Sequence, residues 1–180
     1  MTGALDEKRP AGRIADYIPL IRATDGLTLS QICLLSGLET STIQNWIKRG
    51  FVPHPVKKKY YERHLARVLL IASLRETMQI DRVGELLRFI NGDADDESDD
   101  MLEEERLYDV FREITLLLEE KQPAPDEVGE LVEKKARELL SDFNADDRRK
   151  ITSALYIMAY TFIAGRYKQK ADKLFTEIIN

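Results

Sequence analysis

Residues 40–61, TSTIQNWIKRGFVPHPVKKKYY, gather side chains with one kind of chemistry in common. On a helix, Ile43 and Ile47 stand four residues apart and bury one face, and Trp46 wedges against a neighbouring helix. Ser41, Gln44, Asn45 and Lys48 then share the opposite face, with Thr42 and Arg49 on its flank. Short donors and acceptors flanked by cations are what a helix needs to hydrogen-bond base edges in a major groove. Lys57, Lys58 and Lys59 follow Pro53 and Pro55, and Arg63 and Arg67 lie one and two turns into the next segment. Cations on a short, stiff loop suit phosphate oxygens, contacts that position a protein without reading sequence. The expected base readers are therefore Ser41, Thr42, Gln44, Asn45, Lys48 and Arg49. The expected phosphate contacts are Lys57, Lys58, Lys59, Tyr60, Arg63 and Arg67.

Other chemistries find less support. There is no nucleophile–base pair and no glycine-rich phosphate loop, so neither an enzyme nor a cofactor is expected. Cys33, His54 and His64 match no metal-site spacing, so no metal is expected either. A single cysteine rules out a disulfide within the chain and suits a reducing compartment.

The elements that must position these residues are legible as helices. In TLSQICLLSGL, Thr28 and Gln31 form a capping box, Ile32, Leu34 and Leu35 supply an apolar face, and Gly37 suits a left-handed end. ETSTIQNWIKRG follows with Thr40 as N-cap and Gly50 as terminator, which makes a helix-turn-helix pattern. FVPHPVKKKYY cannot be helical with its two prolines and reads as a loop or short ribbon. ERHLARVLLIASLRETMQ and DRVGELLRFING are two further helices, the second capped by Asp81. Upstream, a short helix is expected near 14–24, with Pro19 at its start or interrupting it.

Residues 93–105 hold nine acids and no base and read as a solvated stretch, with the domain boundary near 92–100. Beyond it, helices are expected over 101–121, 126–142 and from the Asn144 cap to about 167. ADKLFTEII either continues the last helix or forms a short one of its own. The apolar stretch 151–164 is the centre of a helical bundle, a dimer core, or an effector pocket lined by Tyr156, Met158, Tyr160 and Phe162.

The fold class is all-α. Residues 1–26 form an arm and short helix, 27–92 a helix-turn-helix unit, 93–100 an acidic linker and 101–180 a helical dimerisation or sensing region. Charge divides the same way: residues 1–90 carry 14 Lys+Arg against 9 Asp+Glu, residues 91–180 carry 13 against 23, and these sum to the net −5 of the chain. A basic front and an acidic back suggest two jobs. The N-terminus has no apolar signal region and the longest apolar run is too short to span a bilayer, so a cytoplasmic protein without membrane contact is expected. Double-stranded DNA is the expected partner. A homodimer is expected too, because one small helix-turn-helix buries too little DNA for tight binding, and a small-molecule effector is left open. The rival reading is a protein-interaction adaptor that uses the helices as scaffold and the acidic half to hold a basic partner.

The order of helix, glycine turn, helix ending at Gly50, Pro53, a basic stretch ending in tyrosine, then ERHLARVLLIASLRETMQIDRVGELL resembles the DNA-binding domain of MerR-type regulators. Thr42 to Pro53 aligns with the recognition helix of that family and its exit. Gln44-Asn45-Trp46-Ile47 stands where Arg-Tyr-Tyr-Glu is usual, the wing is short with no glycine at its tip, and no long uninterrupted heptad helix is expected. GLETSTIQNWIKRGFVPHPVKKKYYERHLARVLLI is also similar to the most characteristic stretch of the bacterial domain of unknown function 1836 family, and INGDADDESDD and LYDVF are like its downstream pattern. That resemblance covers roughly residues 14–175. It implies an all-helical protein with a MerR-like winged helix-turn-helix that regulates transcription, and it supplies no ligand or target site.

Overall fold

The computed structural model describes residues 12–179, and the regular elements among them are helical. In chain order they are α1 (Ile14–Ala23), α2 (Leu29–Ser36), α3 (Thr40–Lys48), α4 (Glu62–Leu74), α5 (Ile80–Asn91), α6 (Glu104–Lys121), α7 (Val128–Leu139) and α8 (Ala145–Ile179). A single 3-10 turn, Glu97–Asp99, interrupts the acidic stretch. Extended pairing among the described residues is limited to two isolated antiparallel bridges, Leu27 with Tyr60 and Val56 with Lys59. None of these helices is long and apolar enough to cross a membrane.

Two compact units divide the chain. One takes the sequence up to Ala72 together with Asn91–Asp109, and the other takes Ser73–Ile90 and the sequence from Val110 onward. The acidic stretch, expected as a linker, thus belongs to the first unit, and Ala94 and Leu102 within it are buried.

In the first unit, α2 begins with the expected capping box: Gln31 N donates to Thr28 Oγ1 at 3.3 Å and Thr28 N donates to Gln31 Oε1 at 2.8 Å. It stops at Gly37, whose φ of 67° satisfies the left-handed cap. The N-cap of α3 is Glu39 rather than Thr40, whose hydroxyl lies 3.5 Å from Cys33 Sγ instead. Pro19 lies inside α1, neither starting nor ending it, and the first turn of that helix is held by Ile14 N donating to Asp109 Oδ1 at 2.7 Å. The core is built from Leu27, Ile32, Ile43, Trp46, Val52, Leu65, Val68 and Leu69. Set into it is a charged pair. Arg67 and Glu104 are each 2% exposed and joined by a salt bridge, and Arg67 Nε donates to Phe51 O at 3.0 Å.

In the second unit, α7 packs against α8. Val128, Val132 and Ala136 recur at four-residue spacing and are buried, as are Ile151, Leu155, Met158 and Phe162 of α8. The rings of Phe111 and Phe162 meet edge to face, 6.3 Å between centroids. Asn144 caps α8 as its sequence suggests, with Asp147 N donating to its Oδ1 at 2.9 Å. Of the two expected outcomes for ADKLFTEII, the structure shows continuation: α8 does not end near 167. It runs for 35 residues without a break, because ADKLFTEII holds no helix-breaking residue. Met158 and Phe162 are spent in the core, whereas Tyr156 is half-buried with its hydroxyl donating to Glu133 Oε2 at 2.7 Å.

Removing one member of a buried ion pair leaves an uncompensated charge in the interior, which costs about 3–5 kcal/mol, whereas replacing both by apolar groups is close to neutral. Glu104→Ala is therefore expected to lower the urea midpoint strongly, and Arg67→Met combined with Glu104→Leu to recover most of the loss.

Candidate nucleic-acid interface

Two structural features carry the candidate site, the outer face of α3 and the hairpin that follows it. Ile43, Trp46 and Ile47 anchor α3 in the core. Their burial turns Ser41, Gln44, Asn45, Lys48 and Arg49 outward, all exposed, with Thr42 half-buried. The six expected base readers therefore form one surface, polar in its middle and cationic at its C-terminal end. Arg49 lies over the Phe51 ring, 4.6 Å from its centroid, which orients the guanidinium at the end of the helix.

The hairpin is built around Val56 and Lys59. Val56 N donates to Lys59 O at 3.0 Å and Lys59 N to Val56 O at 2.9 Å, leaving only Lys57 and Lys58 between them. Both central residues have positive φ, 49° and 65°. Positive φ at both positions of a two-residue loop is the signature of a type I′ turn, where Asn and Gly are favoured. A lysine in this region costs about 1 kcal/mol relative to glycine. The chain thus holds two lysines, both exposed, at a strained tip.

The other expected phosphate contacts are placed differently. Lys59 Nζ donates to Thr24 O at 3.0 Å and Gly26 O at 3.3 Å, so its charge caps the C-terminal end of α1. Tyr60 is buried, 5% exposed, and its backbone pairs with Leu27. Arg63 donates to Ala94 O at 2.7 Å and is salt-bridged to Glu97. Arg67 is the interior charge described above. These four work within the unit, and Lys57 and Lys58 are the members of the set presented to solvent.

Sequence reasoning missed what holds the hairpin, which is His64. Tyr61 N donates to His64 Nδ1 at 2.9 Å, and His64 Nε2 lies 3.0 Å from His54 O. Since Nδ1 accepts, the proton sits on Nε2, which donates to that carbonyl. One neutral imidazole thereby closes the loop from residue 54 to residue 61. Its position was the available signal: His64 is the third residue of α4 and takes the role that Glu or Gln plays in a capping box. Burial pushes its pKa below the ordinary histidine value. At the base of the hairpin, Asp95 accepts from His54 N at 2.7 Å and lies 2.8 Å from its Nδ1. Burial raises the Asp95 pKa, but the two His54 contacts outweigh it and hold the carboxyl below the usual range. Asp95 and Glu97 thus offset positive charge at the hairpin base, while the tip keeps its own. Among the described residues no group of three or more His, Cys, Asp or Glu could hold a metal ion.

Comparison with known proteins adds a family to this geometry. Residues 27–111 match the family described as Domain of unknown function (DUF1836). The matched segment starts just before α2, runs through the acidic stretch and ends close to Asp109, where the first unit gives way to the second. The chain is also similar to "Uncharacterized protein YkrK" of Bacillus subtilis (strain 168), 21% identical over 161 residues, which is 84% of this chain and 69% of that protein. No solved structure matches.

The His64 arrangement has a pH consequence. A histidine with a lowered folded-state pKa binds protons less readily in the native state than in the unfolded chain. Its contribution to stability is complete above about pH 6.5 and is lost as the pH falls from there toward the folded value. Asp100, pushed up to about 6 chiefly by burial, acts in the opposite sense, losing stability as pH rises through that value. The informative quantity is therefore the difference between variant and wild type at each pH. His64→Gln keeps one donor and one acceptor but cannot titrate, and its stability relative to wild type is expected to stay level from pH 7.5 to about pH 6.5 and to rise from there to pH 5.5 in urea titrations.

Proposed function

We propose that this chain is a DNA-binding transcriptional regulator of MerR-like type. In this reading α3 enters the major groove with Ser41, Thr42, Gln44, Asn45, Lys48 and Arg49 facing base edges, and the hairpin tip sets Lys57 and Lys58 against phosphates. The observation that carries the proposal is the pair of lysines at the two positive-φ positions of the turn. Backbone preference there favours Asn-Gly, and a conformation held against preference points to a use for the side chains. The adjoining polar face of α3, kept outward by Ile43, Trp46 and Ile47, supplies what a groove-reading helix requires. Regulation by a small-molecule effector would fall to the second, all-helical unit. The rival adaptor reading uses the same helices as scaffold and requires no affinity for duplex DNA.

One variant separates the two readings. Lys57→Asn combined with Lys58→Gly installs the preferred turn dipeptide, so the fold is expected to gain about 1–2 kcal/mol while losing both cations. Fluorescence anisotropy with duplex fragments of host DNA is expected to show wild-type binding that weakens steeply with salt. The variant should bind several-fold more weakly, with a log–log salt slope shallower by about two per chain. A variant that is more stable yet binds equally well would remove the hairpin from the interface. Negligible binding by both proteins at low salt would leave the adaptor reading in its place.

A further inference from the structure

Where the acidic stretch runs into α6, one carboxyl is placed differently from its neighbours. Asp95 and Glu97 are exposed acids that reach His54 and Arg63 at the hairpin base. Asp100 is half-buried, and its Oδ1 is enclosed by protein without a hydrogen-bond partner. The charges that act on it are Arg63 and Arg67 from α4, Glu104 from α6 and Asp99 from its own stretch. Both guanidinium groups already have a carboxylate: Arg63 is salt-bridged to Glu97 and Arg67 to Glu104. Two cations and two anions balance. An ionised Asp100 adds a further negative charge to this set, beside Asp99 and the interior Glu104, whose Oε2 is also enclosed without a partner. A carboxylate oxygen taken out of water with no donor is costly, whereas a protonated carboxyl brings its own donor and no net charge.

We propose that Asp100 keeps a proton while the acidic stretch is docked, and that loss of this proton loosens residues 94–102 from the hairpin base, which makes the stretch a pH-sensitive strap. Few contacts hold the strap. Ala94 and Leu102 are buried, and Leu102 N donates to Asn91 Oδ1 at 3.2 Å. Arg63 donates to Ala94 O at 2.7 Å, and His54 N donates to Asp95 Oδ1 at 2.7 Å. Between the two buried residues, Asp95 to Asp99 are exposed and add no apolar anchor. Asp100 stands just before Leu102, so repulsion there acts on the contact that pins the strap to the end of α5. Burial, and after it the charge of Glu104, push the Asp100 pKa up to about 6. In an unfolded chain an aspartate titrates near about 4. Since the folded value is the higher one, the stabilisation by the proton is complete below about pH 4 and is lost as the pH rises through about 6. Opening of the strap takes Glu97 and Ala94 O away from Arg63, whose side chain is 13% exposed while docked. A guanidinium in the first turn of α4 is thereby uncovered more often as the pH rises. The strap goes beyond the DNA-binding reading and stands or falls independently of it.

Two measurements on the full chain test the strap. The first is a carbon-13 titration of the wild-type carboxyl groups from about pH 4 to pH 8, with the Asp100 Cγ signal assigned through its own backbone amide. A midpoint near 6 is expected. The second is amide hydrogen exchange at His54 and Leu102 in wild type and in Asp100→Asn, which keeps a neutral side chain of the same shape at every pH. From about pH 5 to pH 7, with intrinsic exchange rates divided out, protection of both amides in wild type is expected to fall about tenfold relative to the variant. His64 titrates in both proteins and cancels from that ratio. An Asp100 midpoint near about 4 overturns the proposal without any variant. Protection that changes with pH equally in the two proteins overturns the strap even if Asp100 titrates near 6.

Discussion

Arg67 and Glu104 form a charged pair in a largely apolar interior, and the arrangement of the first unit depends on it. Two charges withdrawn from water are tolerated when each compensates the other, and a guanidinium also needs acceptors for its remaining N–H groups. Arg67 therefore requires Glu104 from the start of α6 and the carbonyl of Phe51 from the end of the α3 turn at the same time. Helix α4 is thereby tied to the segment leaving α3 on one side and to the close of the acidic stretch on the other. Neither residue is free for an outside ligand, and neither could be lost alone without stranding its partner.

That constraint explains why the acidic stretch is part of a folded unit. Glu104 is held from inside, Ala94 and Leu102 pack, and Asp95 and Glu97 reach back to His54 and Arg63. The hairpin between them is organised the same way, by polar groups facing inward. His64 closes its base, Lys59 caps α1 and Tyr60 pairs with Leu27. Most of the cations and tyrosines in this stretch support the backbone. The strain is concentrated in the two residues at the tip, which alone of the run point wholly to solvent.

The second unit shows how one helix can serve two faces. Ile151, Leu155, Met158 and Phe162 bury one side of α8 against its own bundle, while Ile157 and Tyr160 lie nearly half-exposed on another side, the Tyr160 hydroxyl donating to Pro125 O at 3.1 Å. The helix-spanning stretch that looks apolar all round is thus two stripes laid side by side, one filled from within the chain and one nearly half-exposed.

Local signals in the sequence determined the helices and their ends. The Thr28–Gln31 capping box, Gly37, the Asn144 cap and the apolar spacing of Ile43, Trp46 and Ile47 act over one or two turns, so they read correctly without any knowledge of the rest. The outward face of α3 followed from that spacing alone. Only the tertiary structure decided the roles of the charges. Arg63, Arg67 and Lys59 carry the same charge as Lys57 and Lys58, and nothing local marks which of them meets an internal carboxylate or carbonyl. The partners Glu97, Glu104 and Thr24 lie 34, 37 and 35 residues away. Pairing at that separation depends on where the fold brings the chain back, and periodicity within a helix holds no record of it.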